Sequence, residues 1–318
     1  MAAALRSLYV YVVFSVSLIS LALAQGENYF IFHGLSDSNL HLDGVAEIQP
    51  SGLLQLTDSY YTPKMAHAFY PFPFRFNTSS SQSLSFSTNF VFAMDSLNYR
   101  PGLGRGVAFV ISPSMDFSKA FPGAYLGLFN YSNNGLSTNH ILAVKFGSAL
   151  SPEFFDIEDN QVGIYINSLI SNQSASASYF SDEEGIYKDM SLEGTGPIQI
   201  WIDYNAAEML LNVTLAPIKV PKPSKLLLSK PLDPSQILLD SMYVGFSAST
   251  DPDGILSYIL GWSFNRTGQA QNLDISKLPP MPPSSSSLDN GNAHVSTIFF
   301  FLIPMLGALI AISGSVYL

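Results

Sequence analysis

The 318-residue chain contains no cysteine. That excludes a disulfide scaffold, thiolate-ligated zinc and a thiol nucleophile. Positive charge is scarce as well: 14 Lys and Arg stand against 24 Asp and Glu, a net charge of −10. Such a surface offers little to phosphates, so no nucleic-acid partner is expected. Charged residues of both signs are only 12% of the chain, where globular averages are about 25%. Helical periodicity is lacking too. Away from the two ends, no window of helical length repeats apolar residues every 3.6 positions, which excludes coiled coil and helical repeats. The core must rely on apolar burial, and the 270 residues between the two apolar ends are enough for that.

What is present starts with those ends. Met1–Ala24 has one charge, Arg6, then an apolar run from Leu8 to Leu23 closing on Ala22-Leu23-Ala24. This is the layout of a secretory signal peptide cleaved before Gln25. At the other end, residues 278–294 form a Pro/Ser linker with Pro279, Pro280, Pro282 and Pro283, expected to be extended and unpacked. Val295–Leu318 is apolar and uncharged. As a helix it is long enough to span a bilayer, yet no Lys or Arg follows Lys277 to mark a cytoplasmic side. Small residues, a polar spacer and an apolar tail fit a GPI-attachment signal, and a single-pass helix is the alternative. Both tether the intervening region, residues 25–277, outside the cell. Five N-x-S/T sequons, at Asn77, Asn130, Asn172, Asn212 and Asn265, are candidate glycosylation sites.

Between the ends, alternation with period two dominates. Leu84–Phe92 places every second side chain on one face, as a half-buried strand does. Ile198–Tyr204 and Met209–Leu215 read as two strands around the turn Asn205–Glu208. Gly106–Ser112, His140–Phe146, Val162–Asn167, Met242–Ser247 and Tyr258–Phe264 are further short runs, separated by Gly, Pro, Asn and Ser clusters. The pattern predicts an all-β domain of two stacked sheets.

Motifs for catalysis are weak. Gly102-Leu-Gly104-Arg-Gly106 has the wrong glycine spacing for a phosphate loop, and a strand follows it. Asp251-Pro-Asp253-Gly254 lacks the later Glu of a calcium loop and reads as a turn. No strand carries the alternating carboxylates of a glycan hydrolase. His33, His41, His67, His140 and His294 show no metal-ligand spacing and read as structural. Asp182-Glu183-Glu184 reads as a solvated face, and no enzymatic activity is expected.

Several segments, taken together and in order, carry a resemblance. They are Phe30–Gly34, Leu42–Ile48, Gly52–Leu56, Ala66–Tyr70, Gly106–Pro113, Tyr125–Asn130, Trp201–Tyr204, Val244–Thr250 and Gly261–Phe264. The chain resembles the legume-lectin domain of plant L-type lectin receptor kinases, over roughly Glu27–Asp274. The resemblance implies a concanavalin-like β-sandwich (jelly roll), with a flat back sheet, a curved front sheet and a sugar site on loops above the curved face. No kinase region follows in this sequence.

In that family, the sugar site depends on neighbouring calcium and manganese ions. Their ligands come from one strand-loop-strand segment, which here runs from Lys145 to Gln161. By the resemblance, Lys145 stands where a Glu is usual, Gly147 where the first Asp is, Ser151 where the Asn is and Gln161 where the His is; only Asp156 is retained. Like unit charges about 4 Å apart cost roughly 4 kcal/mol near a surface, and about double for a dication. One carboxylate cannot offset an entering ammonium, so both metals are expected to be absent and no other cofactor is implied. The sugar-contacting positions change too. Arg105 replaces an acceptor with a group that only donates, Ala124 replaces a backbone-donating Gly, and Ser151 falls on the sugar-binding Asn. Asp251 and Asp253 belong to the loop that sets selectivity in the family. Two functions remain open. One is a membrane-tethered, metal-independent lectin taking a glycan or glycoprotein. The other is a degenerate lectin that binds proteins, with a related receptor kinase or a second copy as partner.

Overall fold

A computed structural model describes residues 28–58, 62–76, 85–96, 105–250 and 255–282. The leader, the C-terminal tail, Asn77, Asp251 and Asp253 lie outside the described residues. Among the described residues no helix is long and apolar enough to cross a membrane.

Two antiparallel eight-stranded sheets frame the unit that ends at Pro280. The back sheet runs in the order Leu228–Pro231, Leu210–Pro217, Ile198–Asn205, Phe86–Ser96, Ile255–Asn265, Leu54–Gln55, Glu47–Ile48, with Tyr29–Phe32 also paired to Ile255–Asn265. The front sheet runs Gln173–Ser176, Gln161–Ile166, Leu142–Gly147, Gly106–Ser112, Ser241–Ser249, Met65–Phe69, His41–Gly44, with Phe74–Arg75 also paired to Ser241–Ser249. Some neighbours are consecutive, such as Ile198–Asn205 and Leu210–Pro217, while others are far apart in sequence: Gly106–Ser112 lies between Leu142–Gly147 and Ser241–Ser249. The expected all-β sandwich is thus the observed fold.

Period-two alternation explains which residues meet. From the back sheet Phe86, Phe90, Phe92, Ile198, Ile200, Ile202, Leu211, Val213 and Leu215 enter the space between the sheets. Val107, Phe109, Ile111, Val144, Phe146, Val244 and Phe246 enter it from the front sheet. Phe90 meets Phe246 at 5.0 Å between ring centroids, and Phe246 meets Trp262 at 4.7 Å, edge to face. In Ile255–Asn265 the register slips between Ile259 and Gly261. The slip changes parity, so Ile255 and Ile259 precede it and Trp262 and Phe264 follow it on the same inner face.

The front sheet is apolar on both faces. Its other side, with Phe69, Ala108, Val110, Ala143 and Tyr165, packs against Phe117, Leu126, Leu128 and Phe129 from the long segment after Ser112. Leu142–Gly147 is therefore buried at every position, and apart from Lys145 it is apolar on both faces rather than alternating. The sequence begins that strand at His140. The structure places His140 with φ 53° at the end of a short 3-10 turn, Ser137–Asn139, and starts pairing at Leu142. The expected unpacked linker also begins later than Leu278. Pro279 is buried, a Cβ on Gly34 would lie 3.6 Å from its Cδ, and a Cβ on Gly261 would lie 2.5 Å from Leu278.

Candidate functional site

Lys145 lies on the outer side of the front sheet, the side that carries the second core. Its register partners are Ala108 and Gly163, both small. At Gly147, two residues on, a Cβ would lie 3.0 Å from Lys145 Cε. Gly147 thus leaves room for the lysine stem, and Gly163 leaves room for the Tyr165 ring. The ammonium ends 2.9 Å from Asp156 Oδ2, with side-chain exposures of 6% and 1% for Lys145 and Asp156. The same oxygen accepts from the Ser151 amide at 3.2 Å. Asp156 Oδ1 faces the Tyr165 hydroxyl at 3.4 Å, and the Tyr165 ring lies 5.8 Å from the ammonium. Burial, reinforced by the Asp156 charge, pushes the Tyr165 hydroxyl far above its ordinary pKa, so it stays a donor.

The segment above the pair is a loop with one 3-10 turn, Pro152–Phe154, entered through Ser151 and left through Phe155 at φ 60°. Asp156 thus ties the end of the turn back to its start. Arg105 closes the same loop from the other side: its Nη1 donates to Leu150 O at 3.2 Å and to Ser151 Oγ at 3.0 Å. Gln161 sits opposite Gly147 at the edge of this cluster. Both polar atoms of its buried amide, and Ser148 Oγ, have no hydrogen-bond partner among the described residues, the kind of group that ordered water satisfies.

A second loop converges here. Gly123–Tyr125 is a 3-10 turn containing Ala124. The front sheet holds its flanks with three side chains. Ser249 Oγ accepts from Gly123 N at 2.5 Å, Ser247 Oγ donates to Leu126 O at 2.7 Å, and His67 Nε2 meets Gly127 O at 2.7 Å. Tyr125 packs on Phe154 with ring centroids 5.3 Å apart, linking this turn to the Ser151–Asp156 loop. Of the sequence-predicted positions, Arg105, Ser151, Lys145 and Asp156 form one bonded cluster. Gly147 and Gln161 flank it, and Ala124 adjoins it through Tyr125.

The buried side of His67 was not legible in the sequence. Because a carbonyl only accepts, Nε2 carries the proton toward Gly127. In the neutral ring Nδ1 then holds a lone pair and faces Asp43 Oδ2 across 3.4 Å, without a hydrogen bond. Burial lowers the His67 pKa, against the opposing pull of Gly127 and Asp43. Asp43 also lines an open cleft of about 520 Å³ with His41, Asp116 and Tyr243.

The described sequons differ in setting. Asn172 is exposed. Asn130 Nδ2 donates to Lys119 O, and Asn265 Nδ2 to Gln269 O. Asn212 is half-buried in a back-sheet strand and accepts from Ser229 Oγ at 2.7 Å.

Calcium and manganese call for clustered oxygen ligands, with imidazole for the second ion. Here the one carboxylate is occupied by an ammonium, Arg105 adds a second cation at Ser151, and among the described residues no three His, Cys, Asp or Glu gather. This donor set does not fit a pair of dications.

Comparison with known proteins agrees with the fold. The chain is 45% identical over 276 residues to L-type lectin-domain containing receptor kinase I.8 of Arabidopsis thaliana, covering 86% of this chain and 41% of that protein. It is 41% identical over 284 residues to L-type lectin-domain containing receptor kinase SIT1 of Oryza sativa subsp. japonica, covering 87% and 42%. The chain spans less than half the length of the curated relatives it matches. Among solved structures, lectin II from Ulex europaeus superposes with a TM-score of 0.62 at 23% identity, over 74% of this chain and 97% of the lectin. The profile of the legume lectin domain matches residues 27–280, and the chain belongs to that family.

Proposed function

We propose that the chain is an extracellular recognition module, tethered through its C-terminal tail, that binds a glycan or glycoprotein without calcium or manganese. Binding uses the loops carrying Arg105, Ala124 and Ser151 and the turn with Asp251 and Asp253. The reading rests on membership of a lectin family combined with one observation, the buried Lys145–Asp156 pair where the family resemblance puts metal ligands. Arg105 and the loop amides then supply donors for hydroxyl or carboxylate oxygens of a sugar. No group is assigned a catalytic role.

The test is a glycan array probed with the purified protein, once with chelator and once with calcium and manganese. Binding that is equal under both conditions and lost in Arg105→Ala is expected. A blank array with folded protein overturns glycan recognition, and binding seen only with metal overturns its metal independence.

A second reading has its own support. Phe155 and Ile157 are 73% and 64% exposed at the end of the loop that Arg105 bonds, and Leu150 of that loop is exposed as well. An apolar crest of this kind suits a protein partner. The relatives' names make a lectin receptor kinase the first candidate. Co-purification with such a receptor's extracellular region, abolished by Phe155→Ser with Ile157→Ser, supports this reading; retention by the variant excludes this crest as the contact.

A further inference from the structure

We propose that the Lys145 ammonium is a built-in cation that holds the Ser148–Asp156 loop in place, the ordering role that a bound dication would otherwise serve. The inference rests on the metal-independent half of the reading above, and stands whether or not a glycan binds.

Four features show a built arrangement rather than a stray surface pair. The ammonium and carboxylate are both withdrawn from solvent, at 2.9 Å. The carboxylate is shared with a loop amide, Ser151 N, so the charge pair reaches the backbone it is to hold. Space for it is prepared. A Cβ at 147 would crowd Lys145 Cε at 3.0 Å, and one at 163 would lie 2.7 Å from the Tyr165 ring. Glycine at 147 is therefore the companion of lysine at 145: the change that removes one oxygen ligand makes room for the cation that replaces the ion. Finally, Tyr165 contributes its hydroxyl to the second carboxylate oxygen and its ring to the ammonium. A buried ion pair gains little over an apolar pair of the same shape, but loss of either partner leaves a charge uncompensated. What the pair adds is a fixed geometry for the loop, whose exit residue, Phe155, sits at φ 60°.

Hydrogen–deuterium exchange on the full chain, read together with thermal melting, tests this. In the wild-type protein the amides of residues 148–156 are expected to keep the same protection in chelator, calcium and manganese. Lys145→Met should lower Tm by roughly 6–20 °C, because Asp156 is left buried alone. Adding Asp156→Asn removes that charge, so the double variant should recover most of Tm. Its loop amides should still exchange roughly tenfold faster than wild type, because the tie is gone. A merely structural pair would restore loop protection along with Tm. The inference is overturned if the double variant's loop is protected as in wild type, or if calcium or manganese raises protection of the wild-type loop. A blank glycan array leaves these results unaffected. Chelator-resistant glycan binding with an unchanged double-variant loop would sink the inference alone.

Discussion

His67 shows how one side chain links the fold to solution conditions. Its ring stacks on Phe117 at 4.7 Å and is fully buried. Burial depresses its pKa below the ordinary 6.5, so the unfolded chain takes up the proton first as pH falls. Stability from this residue is present above about pH 6.5 and is lost as pH falls toward the folded-state value. Melting followed by calorimetry from pH 7.5 to pH 5 should show a decline in the wild-type protein, and His67→Gln should remove part of that slope. An unchanged slope means that His67 is not a source of it. Much at this scale was hidden in the sequence. Lys145 and Asp156 could be named because both lie in one short segment with recognisable family spacing. The sequence said only that a metal was unwelcome there. That the ammonium bonds the surviving carboxylate, with Tyr165 beneath it, depends on register between strands and a loop 11 residues away. His67 and its acceptor lie even further apart, with 60 residues separating it from Gly127.

At the scale of the element, the strands best seen in the sequence were those with one polar face or a sharp glycine boundary. Gly106–Ser112 has the same limits in both sequence and structure. Gly106 itself explains the boundary. It sits at φ 118°, and a Cβ would come within 2.1 Å of Phe146 O, so no other residue fits without moving the neighbouring strand. Gly106→Ala is expected to cost about 3 kcal/mol or more, seen as a Tm loss of roughly 6–12 °C. A loss under a couple of degrees would show that the strand shifts freely. Short strands such as Glu47–Ile48, Leu54–Gln55 and Phe74–Arg75 were not legible as elements, because two residues carry no period. The 3-10 turns Gly123–Tyr125 and Pro152–Phe154 were missed for the same reason, although their loops were assigned to the site by resemblance.

For the whole molecule, two cores share the front sheet, and the ring of Phe246 joins the sheets by meeting Phe90, Phe109 and Trp262. Phe246→Ala should cost about 3–5 kcal/mol, measurable by chemical denaturation, while a conservative Phe246→Leu should cost far less. Equal losses would mean that the site repacks poorly whatever the volume. The sandwich class followed from alternation and low charge. Beyond the hairpin around Asn205–Glu208, which strands neighbour which did not, since adjacent strands such as Phe86–Ser96 and Ile255–Asn265 are far apart in the chain.

The outward side chains of the back sheet, among them Asn89, Val91, Gln199, Trp201, Thr214 and Ser263, are nearly as hidden as the core. Stretches of the chain itself lie over them. Lys222 bonds Asp203 at 2.7 Å and reaches the Trp201 ring, while Ser263 Oγ donates to Gln271 O and Leu273 approaches Gly261. Two molecules pressing these broad surfaces together would first have to peel away that upholstery, dismantling the lysine clasp and the terminal strap. Self-association through the back-sheet side chains themselves would require that covering to move, whereas association at the loop end would leave it in place and would occupy the surface proposed above for recognition.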